Sequence, residues 1–344
     1  MMAPPRSGLP ATSPQEATPT DRRSRIRGVR LGMRCWSGAC LLRALSVVSA
    51  VVAIDAIAQS APLTVCVAED NEPLSYVRDR KPRGLDVRIA QAIADELGRP
   101  LKVVPFETEF EKESTLAREV NALLSSNVCE LAGGFPLLNE DIGTDPGSPA
   151  RTPDYPGAKR FRERPFVPLQ PLAASRPYQG MALVAVLRRE SARKVERLSD
   201  LKGLRIGNVA GTLSSALLVM YRNGMLRGDL VSLPQRGESV FELMVADKLD
   251  AGVVAAGLYD AWKLEHPDGP LVLAEYRRPL GINLGFVAVA QGSDALRAAS
   301  RVIERALDKG DLAAWAQAEG VSWMRPTEPA VSRAPALHQL AADP

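Results

Sequence analysis

Residues 63–77 read LTVCVAEDNEPLSYV: an apolar run that ends in Asp70, Asn71 and Glu72, then Pro73, then Ser75 and Tyr76. Acids, an amide and a hydroxyl at the end of a strand can hold a polar ligand by charge and hydrogen bonds. A carboxylate poised by its surroundings could instead move protons. Glu72 and Glu130 are the candidates for that role, although Glu130 also reads as a residue ending a loop beside a strand. Gly211-Thr212 opens a helix whose free N–H groups could take an anion; Thr212 reads equally well as the N-cap. Tyr76 and Tyr178 could stack on a ligand, or simply pack. There are only two histidines, His266 in the turn-like EHPDG and His338 near the C-terminus. That argues against a histidine-based triad and a multi-histidine zinc site. No glycine pattern fits a nucleotide loop, so neither cofactor nor metal is expected.

These residues must be positioned by the part of the chain that folds. Of 344 residues, 46% are hydrophobic and 24% charged, ordinary values for a globular protein long enough for two domains. Residues 1–58 look different. A Pro-, Ser- and Arg-rich leader without apolar periodicity precedes LLRALSVVSAVVAIDAIA, and small residues at 56 and 58 suit a cut before Gln59. This predicts a disordered leader with a secretory signal peptide, starting at Met1 or Met33, and a periplasmic mature chain. The alternative is a membrane anchor, against which Arg43 and Asp55 interrupt the run. Without the leader the chain holds 35 basic and 37 acidic residues, a net charge of −2. Nothing basic then points to nucleic acid. Cys66 and Cys129 remain as a single pair in an oxidising compartment, which reads as a disulfide; a reactive thiol or a metal pair is the alternative.

Strands and helices alternate along the mature chain. LTVCVA, LKVVPF and CELAGGF read as strands, with helices over 84–98 (Leu85, Ile89, Ile93 and Leu97 on one face) and 114–127 (Leu116, Val120, Leu123 and Leu124). This βαβαβ run predicts a parallel sheet. Residues 137–170 lack periodicity and read as a long insertion, a solvated surface segment or a functional loop. Strands resume at 181–188, 204–211, 230–234, 249–257, 271–276 and 282–290. Helices are expected at 212–225 (inner face Leu213, Leu217, Met220 and Tyr221), 238–248 (capping box Ser239–Glu242), 258–266, 293–309 and 311–319. Residues 326–344 read as a disordered tail. Beyond the carboxyl ends of such strands lie residues 70–76, 133–136 and 211–214, where open α/β sheets bind ligands.

The order of LTVCVAEDNEPLSY, GLDVRIAQAIADELG, LSDLKGLRIGNVAGT, KLDAGVVAAG and LGFVAVAQGSDALRAAS resembles the type 2 periplasmic solute-binding proteins, above all family 3 with its amino-acid receptors of ABC importers. The resemblance spans about residues 62–325. It implies two Rossmann-like α/β lobes joined by two crossing segments, near 178–181 and 277–282, closing on a ligand as a hinged clamp. Lobe 1 would hold 59–178 and 280–325, and lobe 2 179–279. The implied function is to deliver a small polar solute to an ABC permease, as a monomer and without catalysis. Asp70, Asn71, Ser75, Arg176 and Thr212 would be polar contacts, with Tyr76, Gly134, Phe135, Tyr178, Gly211 and Ala256 around them. Two positions depart from the family. Its amino-acid receptors usually carry an Arg soon after the third strand, where this chain has GGFPLLNEDIG. They also place an Asp where Ala255 and Ala256 stand, so Arg176 is left as a substitute grip for a carboxylate. Cys66, Cys129 and SRPY at 175–178 are also similar to the accessory proteins of quinoprotein methanol dehydrogenases. That resemblance implies a dehydrogenase or its cytochrome c as partner. A dehydratase-like enzyme on the same scaffold is a third reading.

Overall fold

A computed structural model describes residues 60–108, 115–143, 147–235 and 238–341. The expected leader, residues 1–58, lies outside the described residues. The first lobe begins with β1 (Leu63–Ala68), a small antiparallel sheet of β2 (Asp70–Asn71), β3 (Ser75–Arg78) and β4 (Lys81–Arg83), and then α1 (Leu85–Glu96). It continues through β5 (Leu101–Phe106), α2 (Leu116–Ser125), β6 (Leu131–Pro136) and β7 (Leu172–Ala174). Strand β8 (Gln179–Arg188) leads into the second lobe, with β9 (Ile206–Val209), α3 (Leu213–Met220), β10 (Leu230–Leu233), α4 (Val240–Val245), β11 (Ala251–Ala255) and α5 (Ala256–Glu265). Strand β12 (Leu271–Val289) returns, and α6 (Asp294–Lys309), α7 (Asp311–Ala318) and α8 (Leu337–Ala341) follow. Among the described residues, no helix is long and apolar enough to cross a membrane.

The expected parallel core is present: β1 lies between β5 and β6, parallel to both. On the other side β9 lies parallel to β10 and β11. What separates the two groups is a long antiparallel ribbon of β8 and β12, so all belong to one sheet in the order β10-β9-β11-β8-β12-β6-β1-β5. The two strands expected at 271–276 and 282–290 are therefore one. Its register on β8 shifts between Leu273 and Arg277 and again between Pro279 and Asn283. Such irregularities bend a strand without ending it, which lets β12 pass from one lobe to the other.

Alternation along β1 explains its apolar run. Leu63, Val65 and Val67 join the core under α1 and α6, while Cys66 points to the opposite face among Phe106, Val120 and Leu123 of the β5–α2 layer. There it is disulfide-bonded to Cys129, just ahead of β6, with the Cα atoms 5.7 Å apart. The expected inner faces of α1 and α2 are buried, apart from Leu97, which is half-buried at the end of α1, and Leu116. Leu116 is 38% exposed because it faces a cavity rather than the core. Helix α3 stops short of its predicted end: Arg222 adopts φ 42°, so Tyr221 closes a different turn, Met220 is exposed and Leu218 takes the inner place.

Two segments without periodicity are well organised. Between 147 and 170 the chain packs on α2, with the buried Arg164 guanidinium bonded to Thr152 O, Lys159 O and the Asp154 carboxylate. Residues 326–341, expected to be disordered, are instead docked on the fold. Asn283 donates to the carbonyls of Thr327 and Ala330, Ser332 bonds to Leu137 O and Gly281 O, and Leu340 of α8 is buried in the second-lobe core beside α3. Its contacts are mostly backbone carbonyls, which leave no trace in hydropathy.

Candidate functional site

The hairpin of β2 and β3 stands at the carboxyl end of β1, where an open α/β sheet presents its ligand. Against it lies a cavity of about 260 Å3. The hairpin supplies Asp70, Asn71, Glu72 and Leu74; the ribbon supplies Gln179 and Met181; the start of α5 supplies Ala256, Gly257 and Leu258. The cavity is thus walled by both lobes and floored by the strands that join them. A second cavity of about 390 Å3 lies deeper in the first lobe, lined by Ser75, Gly134, Phe135 and Leu116 among others. The two share Asp70, Asn71, Leu74, Met181 and Leu284.

The first-lobe wall rests on a buried acid. Gly84 precedes α1 at φ 107°, where a Cβ would come within 2.5 Å of Leu74 O; the absent side chain lets Asp86 N bond to that carbonyl at 2.8 Å. The Asp86 carboxylate is fully buried, and the Tyr178 hydroxyl donates to its Oδ1. Its Oδ2 is buried beneath Gly134, 2.8 Å from where a Cβ would stand. Burial pushes the Asp86 carboxyl up to about 7, against the pull of the Tyr178 and then the Ser75 hydrogen bond. Tyr178 itself packs against Phe286, their ring centroids 5.7 Å apart. This acid supports Gly134 from below and does not line either cavity.

The second-lobe wall is the first turn of α5, which has no side-chain cap. Its amide groups therefore present the positive end of the helix to the cavity. One turn on, Asp260 is held: its Oδ2 accepts from Ser322 N at 2.7 Å and its Oδ1 from Ser322 Oγ at 2.5 Å. Burial raises the Asp260 carboxyl and the Ser322 hydrogen bonds partly offset it. This contact fastens α5 to the segment that follows α7.

The rim near the hairpin is acidic. Burial first, then the charges of Glu107, Asp70 and Asp154, raise the Glu69 carboxyl. No Arg or Lys lines either cavity among the described residues, and no cluster of metal-ligating side chains occurs among them.

The predicted residues divide accordingly. Asp70, Asn71, Ser75, Gly134, Phe135 and Ala256 line one or both cavities, as does Glu72. Tyr178 is fully buried, its hydroxyl spent on Asp86, so it is not a stacking surface. Tyr76 is 6% exposed and carries the Arg78 guanidinium 5.2 Å above its ring, outside both cavities. Arg176 is no substitute grip: it is exposed and pairs with Glu304 at 3.5 Å on the outer surface. Thr212 is the N-cap, accepting from Ser215 N at 3.1 Å, and Gly211 at φ 77° faces the Gln235 side chain; neither lines a cavity. Glu130 is gripped by Arg99 at 2.6 and 3.0 Å at the far end of β6. Sequence reasoning missed Gln179, Met181, Leu284 and the supporting Asp86. Only Asp86 left a signal, as the acid between Leu85 and Val87 in the apolar start of GLDVRIAQAI.

Residues 63–127, from β1 to the end of α2, match the profile of bacterial extracellular solute-binding proteins, family 3. No curated protein matches the chain in sequence. Among solved structures the chain is similar to the L-cystine solute receptor of Neisseria gonorrhoeae in its unliganded open conformation. Identity there is 17% over 76% of this chain and 94% of the receptor, with a TM-score of 0.53. It is also similar to substrate-binding domain 2 of Lactococcus lactis GlnP in its open conformation, with 12% identity over 76% and 96% of the two chains and a TM-score of 0.54. An ancestral cationic amino acid solute-binding protein gives 15% identity, 78% and 97% coverage and a TM-score of 0.53. The fold is that of the type 2 periplasmic binding proteins.

Proposed function

We propose that this chain is a periplasmic solute-binding protein that holds a small polar ligand between its lobes and delivers it to an ABC importer. The observation that carries this reading is the cavity walled by the β2–β3 hairpin of one lobe and the α5 start of the other, over the connecting ribbon. In this reading 59–178 and 280–325 form one lobe, 179–279 form the other, and ligand closes them. Residues 1–58 act as leader and signal, removed before Gln59. Asp70, Asn71, Ser75 and Ala256 are the predicted contacts that this reading retains. Calorimetric titration with pooled amino acids, organic acids and amines tests it. A saturable heat from one pool is expected, and no heat from any pool overturns it.

A second reading has its own observation. The disulfide between Cys66 and Cys129, with the carboxylate-gripping Arg missing after β6, suits an accessory protein of a quinoprotein dehydrogenase. Co-purification of a quinoprotein or a cytochrome c with the exported protein supports it; recovery of a permease alone counts against it. The dehydratase-like reading loses Glu130 to Arg99.

A further inference from the structure

The solute-binding reading leaves open which ligand the cavity selects, and the following rests on that reading. Selection should follow from the charges and hydrogen-bonding groups left without partners around the space. Two carboxylates, Asp70 and Glu72, face it from the hairpin. The third acid, Asp260, is committed to Ser322 and lies within electrostatic reach of Arg277. Among the described residues, no lining guanidinium or ammonium offsets the hairpin pair.

A second, independent observation comes from the ribbon. Gln179 is 6% exposed and lines the cavity. Its Nε2 donates to Ser322 O at 3.4 Å, which orients the amide, and its Oε1 is buried without a partner. An amide oxygen only accepts, so the group that completes it is a donor. The rim adds to this. Glu69, Asp70 and Glu107 interact electrostatically at the hairpin side, while Asp154 beside them is paired with Arg164; the net field there gathers cations and turns away anions. Across the space, the uncapped first turn of α5 offers N–H donors and repels a cation placed against it. Leu74, Met181, Leu258 and Leu284 supply apolar cover between the two ends.

We infer that the cavity takes a small organic cation without a carboxylate, with its ammonium toward Asp70, Glu72 and Gln179 and an uncharged oxygen toward the start of α5. A carboxylate next to the ammonium would meet the hairpin acids, and one further along has only the backbone amides of the α5 start, with no guanidinium or ammonium among the lining residues, to oppose its charge. An α-amino acid is therefore a poorer ligand than the amine lacking its carboxyl group.

The test uses the full exported chain and three probes of one carbon length: 4-amino-1-butanol, 4-aminobutyrate and butyrate, titrated by calorimetry at low salt alongside putrescine, choline and an amino-acid pool. An amine without a carboxylate is expected to bind at least about tenfold more tightly than 4-aminobutyrate, with butyrate silent, for want of a counter-charge. Gln179→Met, which keeps the volume and removes the acceptor, should weaken that amine by about tenfold. Asp70→Asn with Glu72→Gln should weaken it further and flatten its salt dependence. Melting curves confirm that each variant is folded. Tighter binding of 4-aminobutyrate, butyrate or an α-amino acid overturns the assigned class and leaves the solute-binding reading standing. Silence from every probe and pool overturns both. Unchanged amine affinity in both sets of variants overturns the assigned contacts.

Discussion

The first lobe meets the cavity with side chains, whereas the second meets it with backbone. On the hairpin side Asp70, Asn71, Glu72 and Ser75 carry the polarity, and beneath them stand Asp86, Tyr178 and the disulfide. On the α5 side Ala255, Ala256 and Gly257 carry none, and what remains is the open end of a helix. One wall is specified by residue chemistry and braced from below; the other is specified by helix geometry and held by the Asp260–Ser322 contact and by Tyr259, which is buried and donates to Leu271 O. Selectivity should therefore reside in the first wall.

The largest expected effect falls on the braced wall. Replacing Cys66 and Cys129 by Ala should cost about 4 kcal/mol of stability, the scale of the chain entropy released by opening a loop of this length. Hydrogen exchange should rise in β1 and β6 while β9 and β11 keep their protection; a uniform rise would break the contrast.

Next comes the buried acid, where pH decides the sign. Because the folded Asp86 value of about 7 lies above its unfolded one, the stability it contributes is full below about pH 4 and is lost as pH rises through 7. Asp86→Asn still offers Tyr178 an acceptor but cannot ionise. Melting curves between pH 4.5 and 7.5 should fall less steeply for the variant than for the wild type. Equal slopes would mean that Asp86 does not titrate in this window.

Asp260→Ala should cost about 1–2 kcal/mol by releasing both Ser322 hydrogen bonds. It should also raise exchange at the first turn of α5 without touching β1. The smallest effect sharpens the comparison from the other side. Ala256→Asp puts a carboxylate on the bare helix start, which should stabilise the fold by about 0.5–1 kcal/mol through the helix dipole. A lower melting temperature would show that α5 does not present its positive end there.

Much of the first wall was legible in the sequence because regular alternation governs it. The apolar run of β1 and the spacing of Ile89 and Ile93 place the strand and helix that carry the hairpin. The ribbon was less legible. Arg176, Tyr178 and Gln179 lie within four residues of one another, yet the first reaches the outer surface, the second the core and the third the cavity. Pro177 and the shifting register of β12 set those directions, and neither gives a periodic signal. Leu116 was read as core for the opposite reason: a residue facing a cavity keeps the periodicity of a buried one.

The C-terminal segment has a practical consequence. Ser60 is tied to the first lobe through Gly98 O, and the chain's other described end docks on the second lobe through Leu340 and the bond from Arg278 to Gln339 O. If the chain closes on a ligand as proposed, a donor and an acceptor dye attached near these two ends would sit on opposite lobes. Their energy transfer would then follow opening and closing directly, with no label placed near the ligand.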